Sequence, residues 1–352
     1  MFSNLVLSGG AIKGFSFIGV IRFLEEKGCL EGIKTYVGSS AGSIICFLLA
    51  IGYPSDNIYL ICLEIYKMYT VKPINIDSIL NLNQTLGVED GAEIIHHLRE
   101  SLFSKYGVRS ISFLDLCKRS GLNLVICASN LSKGKTTFFS VNNTPDVCVV
   151  DAVRASITIP LIFTPIEIDG DLFVDAALYN NFPVDYIHNF VLKDTLGVLI
   201  NSKKYQPAKP LHLIPYMRLI IDSMLDLINN KNELMNMITL IEIDESDDTF
   251  AFDMSTLKLG GGEDNVEKYY LNGYESAEAK FKDMESVKNK THIAREKSFN
   301  KGEIVRLLER QENEEKEQKK EYVYSHSFSY LCSSYANDTF NRHLTDLLSG
   351  NI

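Results

Sequence analysis

Two glycine-rich turns near the start of the chain limit its fold more than any other feature. Ser8-Gly9-Gly10-Ala11-Ile12-Lys13-Gly14 follows the apolar run at residues 4–7, and Gly38-Ser39-Ser40-Ala41-Gly42 follows the run at residues 33–37. Each turn leads into a stretch with helical patterning, residues 15–27 and 43–50, closed by Gly28 in one case and by Gly52 and Pro54 in the other. Strand, glycine turn and helix, repeated in tandem, predict an α/β fold. Its central sheet is mostly parallel, helices cover both faces, and chemistry gathers at the carboxyl ends of the strands. The second turn has the form G-x-S-x-G, in which Ser40 sits on a tight strand-to-helix elbow and Gly38 and Gly42 admit close backbone approach. A glycine loop one βα unit earlier could supply the backbone N–H donors that acyl transfer requires.

Further blocks extend the pattern. Ala155-Ser156-Ile157-Thr158-Ile159-Pro160 runs on to Phe163-Thr164-Pro165, then Val174-Asp175-Ala176-Ala177, then Asn180-Asn181-Phe182-Pro183-Val184. With the two glycine turns they resemble, in order and spacing, the patatin-like phospholipases. That family's loop reads S-G-G-[GA]-x-[RK]-G, and its later blocks read A-S-x-x-x-P, F-x-P, D-G-[GA] and N-x-P-V. The resemblance covers roughly residues 4–205 and continues weakly to about 285. One departure stands out, because the family's D-G-[GA] is Asp175-Ala176-Ala177 here.

The resemblance implies hydrolysis of acyl esters in phospholipids, with Ser40 as nucleophile, Asp175 as its direct base and no metal or cofactor. The oxyanion donors would come from Gly9, Gly10, Ala11 and Ala41, supported by Lys13, Gly14, Gly38 and Gly42. Lys13 would lock the loop, meet a phosphate headgroup or simply pack its stem. Two other readings use the same residues: a lysophospholipid or neutral-lipid esterase, and an inactive lipid-binding scaffold. A serine–histidine pair would need one of His96, His97, His188, His212, His292, His326 or His343, of which His188, thirteen residues past Asp175, is the nearest.

Elsewhere the patterning predicts helices over residues 56–69, 91–106, 149–156, 216–228 and 266–283. Strands are expected over residues 122–128, 136–140, 163–168, 172–174, 198–201 and 237–243, with loop-like chain at 73–87 and 207–215. Asp169-Gly170-Asp171 marks a hairpin turn that leaves Asp175 at a strand end. Gly134-Lys135-Thr136 imitates the end of a phosphate-binding loop, but position 129, which should be glycine, is Ser129. Nucleotide binding is therefore not expected. The acidic run Asp244-Glu245-Ser246-Asp247-Asp248 lacks the spacing of a calcium loop and reads as a solvated turn.

A formal charge of −10 over 352 residues argues against nucleic-acid partners and against strong attraction to anionic lipid. The substrate would be membrane or micellar lipid, met by peripheral, apolar contact. Seven scattered cysteines fit reduced thiols, and the absence of a basic leader points to the cytoplasm. Composition shifts near residue 285, which divides the chain into a hydrolase domain at 1–285 and an extension at 286–352. The extension is rich in Lys and Glu, then in Ser, Tyr and Asn.

Overall fold

The computed structural model describes residues 2–71, 77, 80–187, 189–202, 233–245 and 263–298. The expected elements at 207–215 and 216–228, the acidic residues after Glu245 and the extension beyond Ser298 lie outside the described residues.

In chain order, β1 (Asn4–Leu7) passes through a 3-10 turn at Ala11–Gly14 into α1 (Phe15–Glu26), and β2 (Thr35–Ser39) leads into α2 (Ala41–Ala50). There follow α3 (Ser55–Val71), α4 (Leu82–Thr85), β3 (Gly87–Glu89), α5 (Ala92–Tyr106) and α6 (Phe113–Ser120). β4 (Asn123–Asn130) and β5 (Lys135–Ser140) form a hairpin ahead of α7 (Val149–Ser156). β6 (Leu161–Phe163), β7 (Ile166–Ile168), β8 (Asp171–Val174), β9 (Thr195–Ser202), β10 (Thr239–Glu245) and α8 (Glu263–Ser298) complete the described elements.

Among the described residues the main sheet has eight strands in the order β10-β9-β1-β2-β4-β8-β7, with β5 also on β4. β10, β9, β1, β2 and β4 run parallel, whereas β5 and β8 are antiparallel to β4, and β7 to β8. Strand alternation explains why both faces are covered. Leu5 and Leu7 of β1 point into the larger core with Phe17, Phe47 and Val153, while Val6, Val37 and Val125 point to the other face. Among the described residues that second face is closed by Phe182 and by Val184 and Leu192 from short 3-10 turns.

Register brings three chain exits to one end of the sheet. Leu7 pairs with Gly38, Ser39 with Cys127, and Ser129 with Val174. The turns after β1 and β2 leave at the carboxyl edge, and the antiparallel β8 delivers Asp175 back into the same place.

Several expectations are revised. The stretch read as loop, residues 73–87, holds α4 and the first residue of β3, and β3 pairs in parallel with β6 as a second, two-stranded sheet. Strands of three residues carry no periodic signal. The strand expected at 163–168 is two strands, because Thr164-Pro165 interrupts the ladder. α6 was not expected, although Ser112 caps it by accepting from Asp115 N–H at 3.1 Å and Gly121 closes it at φ 70°. Asp244 and Glu245 belong to β10 instead of a turn. The final helix begins at Glu263 and runs to Ser298.

The chain divides into two compact units at Lys282 and Asp283. The first holds both sheets. The described part of the second, residues 283–298, is helical.

Candidate active site

The turn after β2 is sterically exacting. A methyl group at Gly38 would lie 2.6 Å from Gly42 O, and one at Gly42 would lie 2.6 Å from Ser8 O, so neither position accepts a side chain. Between them Ser40 adopts φ 48° and ψ −123°, a conformation costly for a non-glycine residue. Such strain persists only where surrounding structure imposes it. Here Ser40 N–H donates to Ser156 Oγ at 2.9 Å, and Ser40 O accepts from Ser43 N–H at 2.8 Å and Ser43 Oγ at 2.6 Å. α2 starts at the next residue, so the positive end of its dipole faces Ser40.

Asp175 meets this serine. Ser40 Oγ donates to Asp175 Oδ2 at 2.7 Å, and Ala177 N–H donates to Oδ1 at 2.8 Å. The Asp175 N–H is held by Thr158 O at 2.7 Å. Asp175 is only 4% exposed, and burial pushes its carboxyl up to about 6, against the lowering effect of the bonds from Ser40 and Ala177. Ala176, the departure from the family pattern, is fully buried and does not take positive φ; it opens a 3-10 turn, which alanine tolerates. The strained alanine is Ala11 instead, at φ 48°.

The first glycine loop lies against the second, since a methyl at Gly14 would fall 2.9 Å from Ala41 Cβ. Among the described residues nothing accepts from the N–H groups of Gly10, Ala11 or Ala41. Gly9 differs from its expected role: its N–H already donates to Asn181 O at 3.0 Å, and a side chain there would strike the Asn181 amide. Gly9 thus anchors the loop and has no free donor. Lys13 is 4% exposed, which fits support of the loop and not contact with a headgroup.

A cavity of about 140 Å³ opens beside Ser40, Ala41 and Ala11. Its walls are apolar, including Phe15 of α1, Ile44 of α2, Ile65 of α3, Ile94 of α5, and Ile157 and Phe163. Such an apolar lining suits an apolar group.

The geometry also brings in Ser156, Thr158 and Asn181, whose roles were not read from the sequence. They lie within the quoted blocks, and their partners become visible only once the blocks are packed.

The patatin-like phospholipase model matches residues 5–188, more than half of the chain. The chain belongs to the patatin-like phospholipase family. Similar proteins include the probable lipid hydrolase 463L of Invertebrate iridescent virus 6, 34% identical over 186 residues, covering 52% of this patatin-like chain and 62% of the viral one. The uncharacterized protein R571 of Acanthamoeba polyphaga mimivirus is 32% identical over 196 residues, covering 55% and 64% respectively. The chain therefore spans less than two thirds of the length of these curated relatives. Among solved structures, VipD from Legionella pneumophila aligns over 80% of this chain and 67% of its own, with TM-score 0.48 and 16% identity.

Among the described residues no helix is long and apolar enough to cross a membrane.

Proposed function

We propose that this patatin-like chain hydrolyses acyl esters of lipids, phospholipids foremost, with Ser40 as nucleophile and Asp175 as its base. The observation that carries the reading is the 2.7 Å hydrogen bond from Ser40 Oγ to a buried carboxylate, beside three backbone amides with no acceptor among the described residues. Asp175 takes the hydroxyl proton as Oγ attacks the ester carbonyl. The oxyanion that forms accepts from Gly10, Ala11 and Ala41 N–H, and the α2 dipole adds to that stabilisation. Asp175 then returns the proton to the departing alcohol. The acyl chain stays on Ser40 within the apolar cavity until water attacks it. Asp175 takes the water proton, the acyl–Oγ bond breaks to release the fatty acid, and Asp175 returns the proton to Ser40 Oγ. Every proton and charge in the cycle has a protein group to hold it.

Residues 1–285 form the hydrolase domain on this reading, and residues 286–352 an extension. The substrate is lipid met at a membrane or micelle surface, and the site of action is the cytoplasm. The test is release of fatty acid from phosphatidylcholine vesicles, lysophosphatidylcholine micelles and triacylglycerol emulsions by wild type and Ser40→Ala. Fastest release from phosphatidylcholine, abolished by Ser40→Ala, is expected. Release by neither protein, with intact folding, would favour the lipid-binding scaffold.

A further inference from the structure

We propose that Arg154 is the positioning residue for the Ser40–Asp175 pair, acting through the turn at Ser156–Thr158 that holds both backbones. The inference rests on the dyad reading above and adds the device that keeps the dyad in register.

The two members of the pair are 135 positions apart in sequence, yet one short turn grips them both. Ser156 Oγ accepts from Ser40 N–H at 2.9 Å, and two residues later Thr158 O accepts from Asp175 N–H at 2.7 Å. A shift of this turn changes the separation of Oγ and carboxylate directly. Its own backbone holds the first half better than the second: Ile157 N–H donates to Val153 O at 3.1 Å, but the next bond is long. The bond from Thr158 N–H to Ala155 O is 3.4 Å long, at the limit of a useful hydrogen bond, and Pro160 ends any helical continuation.

Arg154 supplies the outside anchor. The residue is 6% exposed, and its Nη1 donates to Thr158 Oγ1, which in turn donates to Arg154 O at 2.6 Å. Nε and Nη2 donate to Asp90 O at 3.1 and 2.8 Å, and Nη2 also donates to Thr164 O at 2.8 Å. The same group stacks on Phe163, a wall of the cavity, with its central carbon 5.4 Å from the ring centre. One planar fork therefore ties the dyad turn to the start of α5 and to the end of β6. Gly91 leaves room for it, since a Cβ there would lie 2.8 Å from Nε. A lysine, with one compact ammonium, cannot reach these separated acceptors at once.

The action is geometric. Burial, Ser40 and Ala177 account for the Asp175 shift, and the Arg154 charge is not among the causes. Loosening the turn should lengthen the Ser40 hydrogen bond, removing an effect that lowers the carboxyl pKa.

The test uses the full chain carrying Thr158→Val, which keeps side-chain shape, and separately Arg154→Lys. Kinetics on a soluble short-chain ester are measured from pH 5 to 9, with thermal melts beside them. A displacement of the dyad by about 1 Å predicts a kcat loss of about 10- to 100-fold with KM changed less than about threefold. The acid limb of kcat/KM should also move upward from about 6. Variants that melt earlier but keep the wild-type kcat and limb would overturn the proposal, since a merely structural arginine would do that. If Arg154→Lys does not fold, Thr158→Val decides alone. Wild-type hydrolysis that survives Ser40→Ala would overturn the dyad reading itself, and the positioning role with it.

Discussion

Ser40 Oγ and Asp175 Oδ2 lie 2.7 Å apart, the serine donating, although one residue ends a parallel strand and the other an antiparallel one. No third side chain stands between them. The carboxylate that would take the proton is fixed by Ala177 N–H on its other oxygen and by Thr158 O on its own backbone, so it is aimed before substrate arrives.

Asp175→Asn should cost at least about 100-fold in kcat, the scale of a lost general base. The amide oxygen still accepts from Ala177 N–H and the amide NH2 can donate to Ser40 Oγ, so folding should survive. Steady-state kinetics with a circular dichroism melt check both. Activity within tenfold of wild type would remove Asp175 from the role of base.

The raised carboxyl makes two pH predictions of opposite sign. As a base Asp175 must be ionised, so kcat/KM should rise with pH through about 6. Stability should move the other way. The folded state binds this proton more tightly than the unfolded chain, whose carboxyl sits near 3.8, so unfolding free energy falls as pH rises from about 4 to about 6. Two pK units correspond to about 3 kcal/mol. Asp175→Asn lacks that loss and should gain stability relative to wild type above pH 6, with the gain vanishing below pH 4. Urea melts at pH 4 and pH 8 decide it.

Alanine replaces glycine at two positions of interest, and the structure separates them. Ala11 sits at φ 48°, where a Cβ costs about 1 kcal/mol, so Ala11→Gly should raise stability slightly. Ala176 is free of that strain and fully buried, so Ala176→Gly should lower stability by up to about 1 kcal/mol and change turnover less than about fivefold. Melting temperatures of the two variants should move in opposite directions.

The cavity beside Ser40 ties chain-length preference to its walls. Ile65→Phe adds bulk to a space of about 140 Å³ and should penalise long acyl chains more than short ones. A series of soluble esters of increasing chain length measures it. The expected result is a shift of optimum toward shorter chains, with the rate on the shortest ester kept.

What could be read in advance follows from where each constraint resides. The elbow at Ser40 is local: Gly38 and Gly42 are required by backbone atoms within the same βαβ unit, so their spacing announces the turn. Asp175 is not local, and its pairing with Ser40 was legible only through the resemblance of the surrounding blocks. Ser156, Thr158 and Arg154 carried no signal of their own, because their hydrogen bonds exist only after α7 packs against the sheet. The Gly9 amide was misassigned for a similar reason: its acceptor, Asn181 O, arrives from 172 residues away. Nor could apolar patterning tell Ile65 and Ile157, which face the cavity, from Ile58, which is simply core.

The most direct test of the central claim is the rate at which a fluorophosphonate probe modifies the protein, with the adduct mapped by peptide mass spectrometry. The account predicts a single adduct on Ser40, formed faster as pH rises through about 6 and slowed at least about 100-fold in Asp175→Asn. An adduct on Ser39, Ser43 or any other residue with Ser40 unmodified, or equal labelling rates in wild type and Asp175→Asn, would contradict it.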